Sequence, residues 1–153
     1  PLEIRNEARR KRLDIQSRLE ALPGAREMLA DGKRLGLRQV IVSSSPQWWV
    51  DGYLEQLHIR SCFEHVICRE DAAQPKPAPD LYLEALARLH LPGTACLAFE
   101  DSPNGVRAAR EAGVRVVGVP NPITRQADPL QAHLVLSSLA EMPLEVLLAR
   151  FDD

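Results

Sequence analysis

Residues 97–105 read Leu97-Ala98-Phe99-Glu100-Asp101-Ser102-Pro103-Asn104-Gly105. An apolar run over residues 95–99 stops abruptly at two adjacent carboxylates. Ser102 and Pro103 then open a helix: a hydroxyl able to accept from the first turn, followed by a residue whose fixed φ suits the first helical position. A strand that delivers acids to its carboxyl end, just before a helix start, is how a parallel α/β sheet builds a metal and phosphate site.

The flanking sequence repeats this alternation. Upstream, Val40-Ile41-Val42 is a β-branched run with no polar face, the pattern of a strand buried on both sides, and it ends in Ser43-Ser44-Ser45-Pro46. Ser45 and Pro46 are expected to cap and start a helix over 47–57. Residues 63–67 form a short strand, 72–79 a loop with three prolines, and 80–89 a helix whose Tyr82, Leu86 and Leu89 share one face. Strand 94–99, helix 103–112 and strand 114–119 follow, with a weaker strand at 134–136 and a last helix at 144–151. Near the start, a charged helix over 2–20 is broken by Pro23-Gly24; a second helix over 25–35 stops at Gly36. Alternating strands and helices from residue 25 onward predict a doubly wound parallel α/β sheet flanked by helices. Pro23-Gly24 marks the one domain boundary, dividing residues 1–22 from an α/β body over 23–153.

Composition narrows the function classes. The chain has 153 residues, enough for a domain with a real core, and 19 basic against 21 acidic residues leave a net charge of −2 that favours no nucleic acid. Arg9-Arg10-Lys11-Arg12 is a basic run without aromatics and reads as a solvated helix face. Apolar runs are too short for a membrane helix, which needs about 20 residues. Cys62, Cys68 and Cys96 are odd in number and lack metal-ligand spacing; they read as reduced, buried thiols of a cytoplasmic protein. His58, His65, His90 and His133 fall in no ligand pattern. Trp48-Trp49 reads as core, with an aromatic wall beside the serines as the alternative.

In a parallel sheet all carboxyl ends share one crevice, so three stations distant in sequence converge there. Ser43 and Ser44 offer a hydroxyl and amides at a helix start, suited to phosphate oxygens. Lys76 offers a compact positive charge. Glu100 and Asp101 offer hard oxygens to Mg²⁺. Taken singly, each has a plainer reading: a strand-to-helix cap, a solvated loop lysine, a loop acid pair. Together they suit phosphoryl chemistry.

With these residues in view, the chain resembles the haloacid dehalogenase superfamily hydrolases, in the branch similar to β-phosphoglucomutase and related sugar-phosphate phosphatases. Residues 40–45 match its second motif, Lys76-Pro77-Ala78-Pro79-Asp80 its third, and residues 99–105 its fourth. The resemblance covers essentially the whole chain, with residues 1–22 similar to the closing part of a helical cap. It implies a Rossmannoid core and a Mg²⁺-dependent phosphatase acting on a small phosphorylated metabolite, such as a sugar phosphate. It further implies that Ser43 and the Ser44 amide hold the transferring phosphate and Lys76 bridges phosphate and nucleophile. Glu100 and Asp101 would hold Mg²⁺, and Ser102 and Asn104 would support the metal loop. A β-phosphoglucomutase-like isomerase is the alternative enzyme, and a non-catalytic phosphate- or partner-binding module the alternative outside enzymes.

One motif of the family is missing. Its first strand ends in Asp-x-Asp-Gly-Thr, where the first Asp is the nucleophile and the second the general acid/base; this sequence has no such run. In the family that strand lies between those matching Val40–Val42 and the strand before Glu100. Each buried amide left unsatisfied by its loss costs about 1–3 kcal/mol, against a total domain stability of about 5–15 kcal/mol. Residues 1–153 alone are therefore expected to be inactive and incomplete, with the strand supplied by a preceding N-terminal segment or by a second chain.

Overall fold

The computed structural model describes residues 20–126 and 130–151. All but the last residue of the predicted helix over 2–20, the basic run and almost all of the expected cap remnant lie outside the described residues. The elements are α1 (Ala25–Arg34), β1 (Val40–Val42), α2 (Gln47–Gln56), β2 (His65–Ile67), α3 (Asp80–Leu89), β3 (Leu97–Glu100), α4 (Pro103–Glu111), β4 (Arg115–Gly118), β5 (Leu134–Val135) and α5 (Leu144–Leu148). The predicted alternation holds throughout, and every strand pairing is parallel. Gly36 ends α1 with φ +71°, the left-handed conformation glycine adopts without strain.

Local corrections have local causes. The predicted strand over 94–99 begins late, because Pro92 starts a 3₁₀ turn over Gly93–Ala95. Ser45 does not cap α2: Pro46 occupies that position without a side-chain cap, and the Ser45 carbonyl accepts from the Arg69 amide at 3.1 Å. Trp48 is 69% exposed rather than core, with its ring edge-on to Trp49. Of the three cysteines, only Cys68 is buried.

The strands do not form one sheet. β1 pairs with β2, and β3-β4-β5 form a separate three-stranded sheet. No ladder joins β1 to β3. This is the place where the family's first strand was expected, and it explains why Val40, Ile41 and Val42 are only half-buried instead of enclosed on both sides. Helices cover both faces. Because side chains alternate along a strand, Val116 packs with Tyr82, Val106 and Ala109 on one face, while Val117 packs with Leu136, Leu144 and Leu147 on the other. Val40 and Val42 likewise face Leu81 and Ala85, and Ile41 faces Leu54 and Val66.

Helix α3 bridges the two sheets. Its Leu81 and Ala85 pack on β1 and β2, while Tyr82 and Leu86 join the cluster over β3 and β4. No helix among the described residues is long and apolar enough to cross a membrane.

Candidate active site

The carboxyl ends of β1 and β3 open onto a cavity of about 530 Å³. Ser43, Ser44, Lys76, Glu100, Asp101, Ser102 and Asn104 all line it, so each residue singled out from sequence reaches the same space. Leu22, Val42, Phe99, Val119 and Leu139 supply its apolar wall.

Each station is fixed by a local device. Ser43 Oγ accepts from the Ser45 amide at 3.1 Å, turning the chain at the end of β1. Ser44 Oγ accepts from the Lys76 amide at 3.1 Å, which ties the Pro-rich loop to that strand end. Lys76 is thereby carried across 32 residues of sequence to the mouth of the sheet. Its Nζ donates to the Val42 carbonyl at 2.9 Å and to Glu100 Oε1, so the ammonium links the ends of two strands that do not pair. Two of the three ammonium donors are thus engaged, leaving one for an anion in the cavity.

Glu100 and Asp101 divide their roles. Glu100 is buried, and its Oε1 also accepts from the Tyr82 hydroxyl at 2.5 Å. The Tyr82 ring lies 5.1 Å from Lys76 Nζ, so one aromatic residue serves both the ammonium and the carboxylate. Burial, and then the Glu100 charge, hold the Tyr82 hydroxyl far above its ordinary range, so it acts as a neutral donor. Glu100 Oε2 occupies the space that a Cβ on Gly105 would need, which accounts for glycine there. Asp101 is exposed, and its Oδ2 accepts from Asn121 Nδ2 at 2.8 Å. Ser102 caps α4 as read from sequence, its Oγ accepting from the Gly105 amide at 3.1 Å with Pro103 in the first turn.

Sequence reasoning assigned no site role to Tyr82 or Asn121. Tyr82 carried only a core signal. Asn121, within Pro120-Asn121-Pro122, carried only a turn signal. Burial pushes the Cys68 thiol up to about 11 and raises Cys96 as well, so neither is a ready thiolate.

The donor set fits Mg²⁺. The cation takes one or two carboxylates and keeps waters or substrate oxygens at its other positions, and Glu100 and Asp101 supply hard oxygens of this kind. Among the described residues no group of three or more His, Cys, Asp or Glu could form a cage made of protein alone.

A parallel α/β fold thus brings serine, lysine and paired acids together at the carboxyl ends of β1 and β3. The chain belongs to the haloacid dehalogenase-like hydrolases, whose family model matches residues 2–113. It is 39% identical over 146 residues to the protein named "Putative phosphatase YhcW" of Bacillus subtilis (strain 168), covering 95% of this chain and 65% of that one. It is 36% identical to hexitol phosphatase B of Escherichia coli (strain K12), covering 83% and 58%. Among solved structures, a "putative beta-phosphoglucomutase" from Thermotoga maritima superposes with a TM-score of 0.84 at 26% identity, covering 96% of this chain and 69% of that one. The chain thus lies in the β-phosphoglucomutase-like branch and spans about half to two-thirds of the length of the curated relatives it matches.

Proposed function

We propose that the protein to which this chain belongs is a Mg²⁺-dependent phosphatase for a small phosphorylated metabolite, a sugar phosphate being the favoured class. The observation that carries the reading is the convergence of Ser43, Lys76 and Asp101 on one cavity between two strands that do not pair. In this reading a further strand, from elsewhere in the polypeptide or from a second chain, enters between β1 and β3 and brings an Asp nucleophile to the cavity. Residues 1–22 would close a helical cap over residues 23–153, and the chain without the added strand would be inactive.

The chemistry assigned to the residues present is binding and charge dispersal. Ser43 and the Ser44 amide hold the phosphoryl oxygens, and Lys76 donates its remaining N–H to one of them. The Asp oxygen attacks phosphorus as the ester P–O bond breaks, and the alkoxide leaves as the alcohol by taking a proton from the second Asp of that strand, which recovers it from the water of the next step. Water then hydrolyses the acyl phosphate to free phosphate and regenerates the carboxylate. When bound, Mg²⁺ would be held by Asp101 and Glu100, with Ser102 and Asn104 supporting the loop, and would neutralise charge on the transferring group. The cavity wall sets two carboxylates against one ammonium, so a phosphate dianion meets net repulsion until a divalent cation reverses it.

Phosphate release from a panel of small phosphate monoesters, measured on the full-length gene product with and without Mg²⁺, tests this. Release is expected with Mg²⁺ only, and Asp101→Asn should abolish it. Absence of release with Mg²⁺ present refutes the phosphatase reading. Sugar-phosphate isomerisation in the same assay would assign the protein to the mutase activity that the T. maritima neighbour's name describes.

A further inference from the structure

We infer that Asn121 biases Asp101 toward holding a divalent cation through one oxygen and thereby favours Mg²⁺ over Ca²⁺. The inference rests on the proposed role of Asp101 in holding a divalent cation.

Beyond the end of β4, the Val119 amide donates to the Glu100 carbonyl at 2.7 Å, which keeps the chain beside the acid pair. Asn121 follows. Its Oδ1 accepts from the amides of Ile123 and Thr124, both at 2.9 Å, and its own amide donates to Thr124 Oγ1 at 3.0 Å. These bonds fix the carboxamide orientation by chemistry. A flipped amide would point its NH₂ at two N–H donors, so the oxygen must face the turn and the NH₂ must face Asp101. Nδ2 then meets Asp101 Oδ2 at 2.8 Å. Asp101 Oδ1 takes no hydrogen bond from the described residues, and Asp101 lines the cavity.

One carboxylate oxygen therefore carries a hydrogen bond, and the other carries none from the described residues. Mg²⁺ demands near-ideal octahedral geometry with few protein oxygens, whereas Ca²⁺ takes six to eight oxygens and accepts a carboxylate through both. A hydrogen bond that draws on Oδ2 and fixes the orientation of the carboxylate disfavours the second mode. Asn121 acts through Asp101 and is a positioning residue that determines specificity; it does not react.

Titration calorimetry of the full-length protein with MgCl₂ and with CaCl₂ tests this through the ratio of the two Kd values, a quantity that a turn-forming role alone would not change. Asn121→Ser keeps an oxygen for the turn but cannot reach Asp101. Asn121→Asp keeps the acceptor, removes the donor and adds oxygens. Loss of an outer partner typically weakens metal binding 10–100-fold, so Asn121→Ser is expected to raise the Mg²⁺ Kd about tenfold and the Ca²⁺ Kd less, narrowing the Mg²⁺ preference about fivefold or more. Asn121→Asp should shift the preference the same way. Melting temperatures select the variant that keeps its fold. An unchanged Kd ratio in a folded variant of a Mg²⁺-binding protein overturns this inference alone. A wild-type protein that binds neither ion overturns the cation role of Asp101 and the phosphatase reading with it.

Discussion

Gly105→Ala should destabilise this protein, against the usual sign. Gly105 is buried within α4 and is not among the glycines with positive φ, so alanine fits its backbone. In a helix interior that change ordinarily adds about 0.5–1 kcal/mol of stability. Here the new Cβ would collide with the Glu100 carboxylate, at Oε2 and the carbon bearing it. Relief requires Glu100 to leave its seat and break its bonds to Lys76 and Tyr82. Lys76 and Glu100 are 12% and 8% exposed, so the pair counts as buried. Breaking a buried pair costs about 3–5 kcal/mol. Less the helix-propensity gain, the net loss is about 2–4 kcal/mol, or roughly 4–16 °C in melting temperature for a domain of this size. Denaturant unfolding of the full-length protein measures it, with an unchanged m-value required for the comparison. The same substitution on a Glu100→Ala background should regain its ordinary sign and stabilise by up to about 1 kcal/mol. A Gly105→Ala protein as stable as wild type refutes the placement of Glu100 against α4.

Two further changes test polar contacts, one beside the site and one away from it. Tyr82→Phe keeps the ring beneath Lys76 but removes a donor to a buried carboxylate, and should lower stability by about 1–3 kcal/mol in the same assay. Since burial and Glu100 raise the Tyr82 hydroxyl in the folded state, its stabilisation is lost as pH climbs past the ordinary tyrosine range near 10. The alkaline limb of a stability–pH curve should therefore be shallower in Tyr82→Phe, and parallel limbs would contradict the assignment. At the acid end, the Cys68 amide at 2.8 Å and then the Arg88 guanidinium hold Asp71 below its ordinary range. Its contribution is present above the unfolded value near 4 and lost as pH falls through the lower folded value. Asp71→Asn should flatten acid unfolding, and an unchanged acid limb would show that the bonds carry no weight.

What could be read from sequence follows from how far each signal reaches. The helix at residue 103 was readable because its cap and first turn, Ser102 and Pro103, are adjacent in the chain. The convergence of Ser43, Lys76 and Asp101 on one cavity was readable because parallel strands send their carboxyl ends to one side. Tyr82 was read as core because its spacing with Leu86 and Leu89 marks an inward face, and it is indeed buried. Its hydroxyl, however, finds a partner 18 residues away, and helical periodicity carries no information about that. Asn121 is equally opaque, since its turn is local and its bond to Asp101 spans 20 residues. Trp48 failed the other way. Adjacent helical residues point in different directions, so two tryptophans in sequence could not both be core.

The gap between β1 and β3 stays open because helix α3, not backbone pairing, holds the halves together. Leu81 and Ala85 seat on β1 and β2 while Tyr82 and Leu86 seat over β3 and β4, so one rigid element spans both sheets. Lys76 adds a polar link from Val42 to Glu100 at the site end. An extended segment entering there would add ladder bonds to both exposed edges without displacing α3. At about 0.5–1.5 kcal/mol net for each bond, even four to six of them contribute several kcal/mol. That is a large part of the roughly 5–15 kcal/mol that holds a domain folded. In the proposed enzyme, therefore, the strand that brings the nucleophile also brings much of the stability, and a change that expels it removes activity and fold together.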